Sequence, residues 1–157
     1  MIIRPPQSLP SEGIPSVFLA GSIEMGAAEN WQARLERAID GPGVVILNPR
    51  RDHWDSSWLQ EISHPQFREQ VEWELAAQES ATVIAMYFDP TTKSPISLLE
   101  LGLFAHSGKL IVCCPLGFWR KGNVDIVCGR YGIPQVSTVE ELIAAAQAQM
   151  MMEVVGA

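Results

Sequence analysis

Ala81-Thr82-Val83-Ile84-Ala85-Met86-Tyr87-Phe88 is an eight-residue run without a charge, and it decides the fold. An apolar run with no polar alternation is a strand buried on both faces, the habit of parallel sheets covered by helices. Asp89-Pro90-Thr91-Thr92-Lys93 follows as a loop. Ser94-Pro95 then supplies an N-cap and N1 pair for a helix predicted to reach about Ser107. The same unit repeats on either side. Upstream, Val17-Phe18-Leu19-Ala20 ends at Gly21-Ser22, and Asn30 to Asp40 carries Trp31, Leu35, Ala38 and Ile39 at helical spacing. Val44-Val45-Ile46-Leu47 closes at Asn48-Pro49, and Pro65 opens a helix whose Phe67, Val71 and Leu75 share one face. Downstream come a strand from Leu110 to Cys114, a short helix near Val124 to Cys128 and a brief strand at Gln135-Val136. A last helix is capped by Ser137 or Thr138, with Glu140 and Glu141 in its first turn. The expectation is a single doubly wound, Rossmann- or flavodoxin-like α/β domain with a five-stranded, mostly parallel sheet over residues 16–157.

The rest of the composition agrees with a folded domain that handles small molecules. With 157 residues, 47% of them hydrophobic, the chain can bury a core. Eleven Lys and Arg against 18 Asp and Glu give a net charge of −7, with no basic arm or stripe, which argues against nucleic acid as a partner. No apolar run approaches the roughly 20 residues of a membrane span. Residues 1–15 contain four prolines and no apolar signal-like core, and read as a flexible lead. Cys113, Cys114 and Cys128 lack zinc-ligand spacing and do not suit a disulfide framework, so a reduced, cytoplasmic setting is expected. His53, His64 and His106 form no metal set; neither a metal nor a cofactor is expected.

Ligands of doubly wound sheets bind beyond the carboxyl ends of the strands. Four loops qualify: 21–26, 48–58, 88–94 and 115–123. The first, Gly21-Ser22-Ile23-Glu24-Met25-Gly26, is followed by Ala27-Ala28 and lacks both the nucleoside-triphosphate loop and the dinucleotide fingerprint. Glu100 stands out as one carboxylate in an otherwise apolar helix, Ile96-Ser97-Leu98-Leu99-Glu100-Leu101-Gly102, where it needs a partner or a task. For Glu72 and Glu74, two apart on a helix, the pattern alone favours a solvated face. Trp54, Trp58 and Trp73 can stack on a planar ring, although in an apolar protein the pattern favours core positions.

Taken in order, Phe18-Leu19-Ala20-Gly21-Ser22, Asn48-Pro49-Arg50-Arg51, Trp73-Glu74, Ser94 to Gly102 and Lys121-Gly122-Asn123-Val124-Asp125 resemble the nucleoside 2-deoxyribosyltransferase-like family over residues 16–145. The resemblance implies an N-glycosyl transferase in which Glu100 attacks C1′ of a (deoxy)nucleoside and expels the base from a covalent glycosyl-enzyme. Glu74 then stands where the family carries the acid that protonates the leaving base. It further implies substrate contacts from Phe18, Gly21 and Ser22 in the first loop, and from Asn48, Arg50, Trp54 and Trp73 in and beside the second. Asp89, Ser94 and Ser97 would serve the sugar. Asn123, with Asp125 nearby, would reach into a neighbouring subunit, making a homo-oligomer. The departures are Phe18 for a tyrosine, Glu74 for an aspartate and Ser94 for a sugar-binding aspartate. Partners would be a nucleoside or nucleotide and a free nucleobase. Two alternatives are an N-glycosidase that hydrolyses nucleoside 5′-monophosphates, with Arg50, Arg51, Arg120 and Lys121 as candidate phosphate cations, and a non-catalytic nucleotide-binding module.

Overall fold

A computed structural model describes residues 1–11, 13–23, 30–39, 41–51, 55 and 57–156. Trp54 and residues 24–26 of the first loop, all named above, lie outside the described residues.

Six parallel strands form one sheet: β1 (Ile2–Ile3), β2 (Ser16–Gly21), β3 (Val45–Leu47), β4 (Val83–Tyr87), β5 (Leu110–Cys113) and β6 (Gln135–Val136). Among the described residues there are five helices, of which four join consecutive strands from β2 to β6, α1 (Trp31–Ile39), α2 (Pro65–Ser80), α3 (Pro95–Phe104) and α4 (Lys121–Tyr131), and α5 (Val139–Gly156) follows β6. The spatial order is β1-β3-β2-β4-β5-β6. From β2 the chain first winds outward to β3, then crosses back to β4 and continues through β5 to β6. The reversal of direction falls between β2 and β4, and a doubly wound sheet opens its ligand crevice there.

The sheet has one strand more than expected. Ile2 and Ile3 pair with Ile46 and Leu47, so the Pro-rich lead contributes an edge strand. Two residues are too few to show a period, which is why pattern reading passes over them.

Side chains of β2 alternate between the two cores. Phe18 and Ala20 face a cluster built on Trp73 and Ala77 of α2, Leu101 of α3, and Val124 and Cys128 of α4. Val17 and Leu19 face a second cluster with Trp31, Leu35 and Ile39 of α1 and Leu142, Ala146 and Met150 of α5. Both clusters are continuous along β4, whose five residues are all buried. Thr138 is the N-cap of α5: its Oγ1 accepts the Glu141 backbone N–H at 3.1 Å, while the Glu141 carboxylate accepts the Ser137 N–H at 2.7 Å.

One helix face was misassigned by pattern. Val71 and Leu75 of α2 are each 36% exposed, whereas Gln70, Trp73, Ala77 and Gln78 are buried. The inward stripe of α2 is therefore largely polar, and hydrophobic periodicity points to the wrong side of such a helix.

Candidate active site

The polar stripe of α2 meets α3 at Glu100. Glu100 is 8% exposed, and its Oε1 accepts a 2.8 Å hydrogen bond from Nε2 of Gln78, a residue with no exposed surface. The same Gln78 nitrogen reaches the Glu74 carbonyl at 3.2 Å. One turn earlier, Gln70 Nε2 donates to Oε1 of Glu74 at 2.6 Å and to the Pro49 carbonyl at 2.8 Å. Gln70 Oε1 in turn accepts from Arg51 Nε at 2.5 Å. Residues 70, 74 and 78 are successive i, i+4 neighbours, which aligns two amides and a carboxyl along one line of the helix. Glu74 is half-buried on the inward side, not on the solvated face that its spacing suggests.

Both carboxyls hold their protons to unusually high pH. Burial raises Glu74 to about 7, against smaller lowering by the Gln70 hydrogen bond and the Arg51 charge. Burial, reinforced by the Glu74 charge, raises Glu100 to about 8, opposed by the Gln78 hydrogen bond. Two neighbouring carboxyls of this kind lose their protons one at a time. Between the two losses the pair is one carboxylate beside one carboxylic acid; Glu74 is the first to ionise, so the form with Glu100 ionised beside protonated Glu74, which combines a nucleophile with a proton donor, is the minor one of that state.

At the switch point, three hydroxyls form a buried knot. Ser22 Oγ lies 3.0 Å from Thr92 Oγ1 and 2.5 Å from Ser94 Oγ, and Thr92 and Ser94 are 2.7 Å apart. The Asp89 N–H donates to Ser22 Oγ at 2.9 Å. Ser94 does sit at the N-cap of α3, but its side chain makes no cap bond, and its φ of 45° is left-handed. A non-glycine residue is held there only when its surroundings fix it, and such sites cluster where function needs a set geometry. Gly21 takes φ 131°, and a Cβ on it would stand 2.1 Å from the Tyr87 carbonyl oxygen, so β2 and β4 approach as only glycine permits.

The other expected site residues fall in several places. Ser97 is buried one turn before Glu100 on α3. Phe18 is fully buried and tilts against Trp73, with ring centroids 6.5 Å apart. Trp73 is 9% exposed and donates its indole N–H to the Gln7 carbonyl at 2.8 Å. The Asp89 carboxylate accepts from the backbone and the hydroxyl of Thr91 at 2.8 and 2.7 Å, closing its own turn. Asn48 lies away from the carboxyls, donating to Glu36 at 2.7 Å and accepting from the Arg50 N–H at 2.8 Å. Asn123 is exposed on α4, and Asp125 is lowered from its ordinary value, chiefly by its 2.9 Å bond from Lys121. Of the four candidate phosphate cations, Arg50 and Arg51 stand together beyond β3. Arg120 lies over the Trp119 ring at 4.3 Å, and Lys121 pairs with Asp125. Gln70, Gln78 and Thr92 escaped the sequence reading. Their signal, polar side chains at i, i+4 spacing leading to a lone glutamate, is visible only once the helix face is known.

A model of nucleoside 2-deoxyribosyltransferase-like proteins matches residues 14–118, about two thirds of the chain. The chain belongs to that family. The matched segment of this nucleoside 2-deoxyribosyltransferase-like protein begins just ahead of β2 and ends beyond β5. It holds Glu74, Glu100 and the hydroxyl knot, and leaves Asn123 and Asp125 outside. A search of the curated proteins finds no match. Family membership supports a transferase-like enzyme acting on nucleosides. Among the described residues, no group of three or more His, Cys, Asp and Glu could hold a metal ion, and no helix is long and apolar enough to cross a membrane.

Proposed function

We propose that this protein is a nucleoside 2-deoxyribosyltransferase that works by double displacement at C1′, with Glu100 as nucleophile and Glu74 as acid and base. The observation that carries this reading is the pair of glutamates on α2 and α3, Glu100 buried and Glu74 half-buried, each bonded to its own glutamine. A carboxylate oxygen of Glu100 forms a bond to C1′ while the C1′–N bond breaks. The departing electron pair settles on the base nitrogen, which takes the proton of Glu74. In the second half the incoming base attacks C1′ through its ring nitrogen and loses its N–H proton to Glu74. The C1′–O bond then breaks and restores the Glu100 carboxylate. Two inversions give retention. Phe18 leaves the nucleophile without a tyrosine hydroxyl, and Gln78 offers a replacement donor.

Assembly belongs to the same reading. Asn123 is exposed on α4, and α3 presents Ile96, Leu99 and Leu103, each more than half exposed, as an apolar stripe. A homo-oligomer that covers the stripe and brings Asn123 to a neighbour's site fits both observations. The three cysteines are free and buried, which suits a cytoplasmic enzyme of nucleotide salvage.

The second reading is hydrolysis of nucleoside 5′-monophosphates, with water in place of the incoming base. It is favoured by the two arginines that stand together beyond β3. Incubation of a 2′-deoxynucleoside and, separately, of its 5′-monophosphate with an isotope-labelled free base separates the two. Labelled nucleoside formed by the wild type and not by Glu100→Ala supports the transferase. Free base without label incorporation supports the hydrolase, and residual exchange within about tenfold of wild type in Glu100→Ala would remove the covalent mechanism.

A further inference from the structure

Ser94 adopts a conformation that its place in the sequence disfavours twice. With φ 45° and ψ 54° it is left-handed, although its side chain carries a Cβ. It also precedes Pro95, and a proline ring pushes the residue before it to extended backbone, with ψ of roughly 120–160°. Such a conformation persists only where the surroundings over-determine it. Two of the holds on Ser94 come from the crevice itself. Its hydroxyl is shared with Ser22 and Thr92, and its carbonyl accepts the Leu98 N–H at 3.1 Å, the bond that starts α3. Another hold comes from a different loop. Trp119, beyond β5, donates its indole N–H to the Lys93 carbonyl at 2.9 Å. That carbonyl belongs to the peptide joining Lys93 to Ser94. The peptide is planar, so its rotation about the Ser94 N–Cα bond is the Ser94 φ angle.

The loop after β5 is seated firmly enough to deliver that bond. Phe118 is buried against Phe88, with ring centroids 4.9 Å apart, and a Cβ on Gly117 would stand 3.6 Å from that of Pro90. Trp119 itself is 46% exposed, and Lys93 Nζ and the Arg120 guanidinium carbon lie 4.5 and 4.3 Å from its ring centroid. Two cations thus steady the ring whose N–H meets the backbone. We infer that Trp119 is a positioning residue: its indole N–H keeps the Lys93–Ser94 peptide in the orientation that makes Ser94 left-handed, and through Ser94 it sets the hydroxyl knot and the start of the helix that carries Glu100. A slip of Ser94 to extended backbone would release the Leu98 bond and loosen the first turn of α3, one turn ahead of Glu100. The family match ends at residue 118, so Trp119 lies outside the matched segment. The effect on turnover rests on the catalytic reading above, whereas the hold on Ser94 does not.

Amide hydrogen exchange of the full-length protein tests the hold without any turnover. Trp119→Phe keeps a ring and loses the N–H. In it the Leu98 amide should exchange about tenfold faster or more, while the amides of α5 around Leu142 keep the wild-type rate. A Leu98 rate that stays put, or a rise shared with α5, overturns the proposal. The role of φ is tested at Ser94. Ser94→Ala and Ser94→Gly both lack the hydroxyl and differ only in the Cβ that disfavours a left-handed backbone. The effect of Trp119→Phe on Leu98 should persist in the Ser94→Ala background and shrink to within about twofold in the Ser94→Gly background. Equal effects in the two backgrounds overturn the proposal. The wild type alone serves if a variant does not fold: the half-exposed Trp119 indole N–H should exchange about tenfold slower or more than a free indole, and a free-indole rate overturns it. Turnover completes the test. In Trp119→Phe the kcat for base exchange should fall about fivefold or more with a native-like melting point, and an unchanged kcat beside a faster Leu98 removes the positioning role. Base exchange surviving in Glu100→Ala would remove the catalytic reading and leave the hydrogen-exchange result standing.

Discussion

The two faces of the sheet are built from different chemistry. On the α1/α5 side the packing centre is Trp31, Leu35, Leu142, Ala146 and Met150, an apolar interior that holds the sheet together, with Gln32 and Glu36 of α1 the polar residues buried beside it. On the α2/α3 side buried Gln70, Gln78, Ser97 and Glu100 stand among the apolar residues, with Glu74 half-buried beside them. Buried polar groups add little net stability and cost much when unmatched, so the face that gathers the larger share of them, around Glu74 and Glu100, is the one expected to carry the chemistry. One face supplies cohesion; the other gives up cohesion for reactivity.

Substitutions on the two faces should therefore fail in different ways. The largest effect expected is on turnover: Glu100→Ala should lose about a thousandfold or more of base exchange while its circular dichroism and melting stay native-like. Glu74→Gln should lose on the order of 100–1,000-fold, measured as kcat for a donor with a poor leaving base. Its pH profile is diagnostic. The wild type should show a bell with limbs near the values of the pair, about 7 and about 8. Without Glu74 the alkaline limb should vanish, and the acid limb should stay close to its wild-type position, because Glu74 is uncharged on that limb and its charge raises Glu100 only at higher pH. Gln78→Met should cost about tenfold in kcat and move the acid limb upward, since the lost hydrogen bond favours the ionised carboxyl. A purely structural Gln78 would change stability and leave the profile in place.

The cohesive face should show the reverse. Leu142 is completely buried, and Leu142→Ala should cost about 2–5 kcal/mol by denaturant unfolding, with kcat per folded molecule unchanged. The smallest effect expected is a gain. The folded-state value of Glu100 lies near 8, above the ordinary 4.5, so the protonated form is favoured in the fold. The stability associated with that proton is complete below about 4.5 and is lost as pH rises through 8. Glu100→Gln should therefore melt like the wild type at pH 4.5 and several degrees higher at pH 9, and an equal melting point at both would contradict the burial.

The cohesive face was also the legible one. Unbroken apolar runs such as Val83 to Tyr87 announce strands buried on both sides, and the winding of the sheet follows from their alternation with helices. The lone glutamate at position 100 could be picked out because every neighbour on its helix is apolar or small. The partners of Glu100 were illegible for the opposite reason. Gln70, Glu74 and Gln78 sit on a helix whose outward positions, Val71 and Leu75, are as apolar as an ordinary inward stripe, so periodicity turned α2 around. The cluster beyond β3 was half legible: Arg50 and Arg51 are adjacent in sequence, but Arg4 joins them only through the pairing of β1 with β3 and Glu36 only through the packing of α1, contacts no local pattern encodes.

Gly21 carries a consequence for how this protein can change. Any side chain at that position would collide with the Tyr87 backbone, which cannot swing aside as a flexible side chain could. The collision would pry apart the two central strands at the end where Ser22 and Asp89 meet. In a saturation library position 21 should thus be a dead column, whereas Gly102, open to solvent two residues beyond Glu100 on α3, should accept alanine and larger residues freely. Routes to new sugar or base preference would then run through the helices that flank the crevice, over a floor that evolution cannot easily redraw.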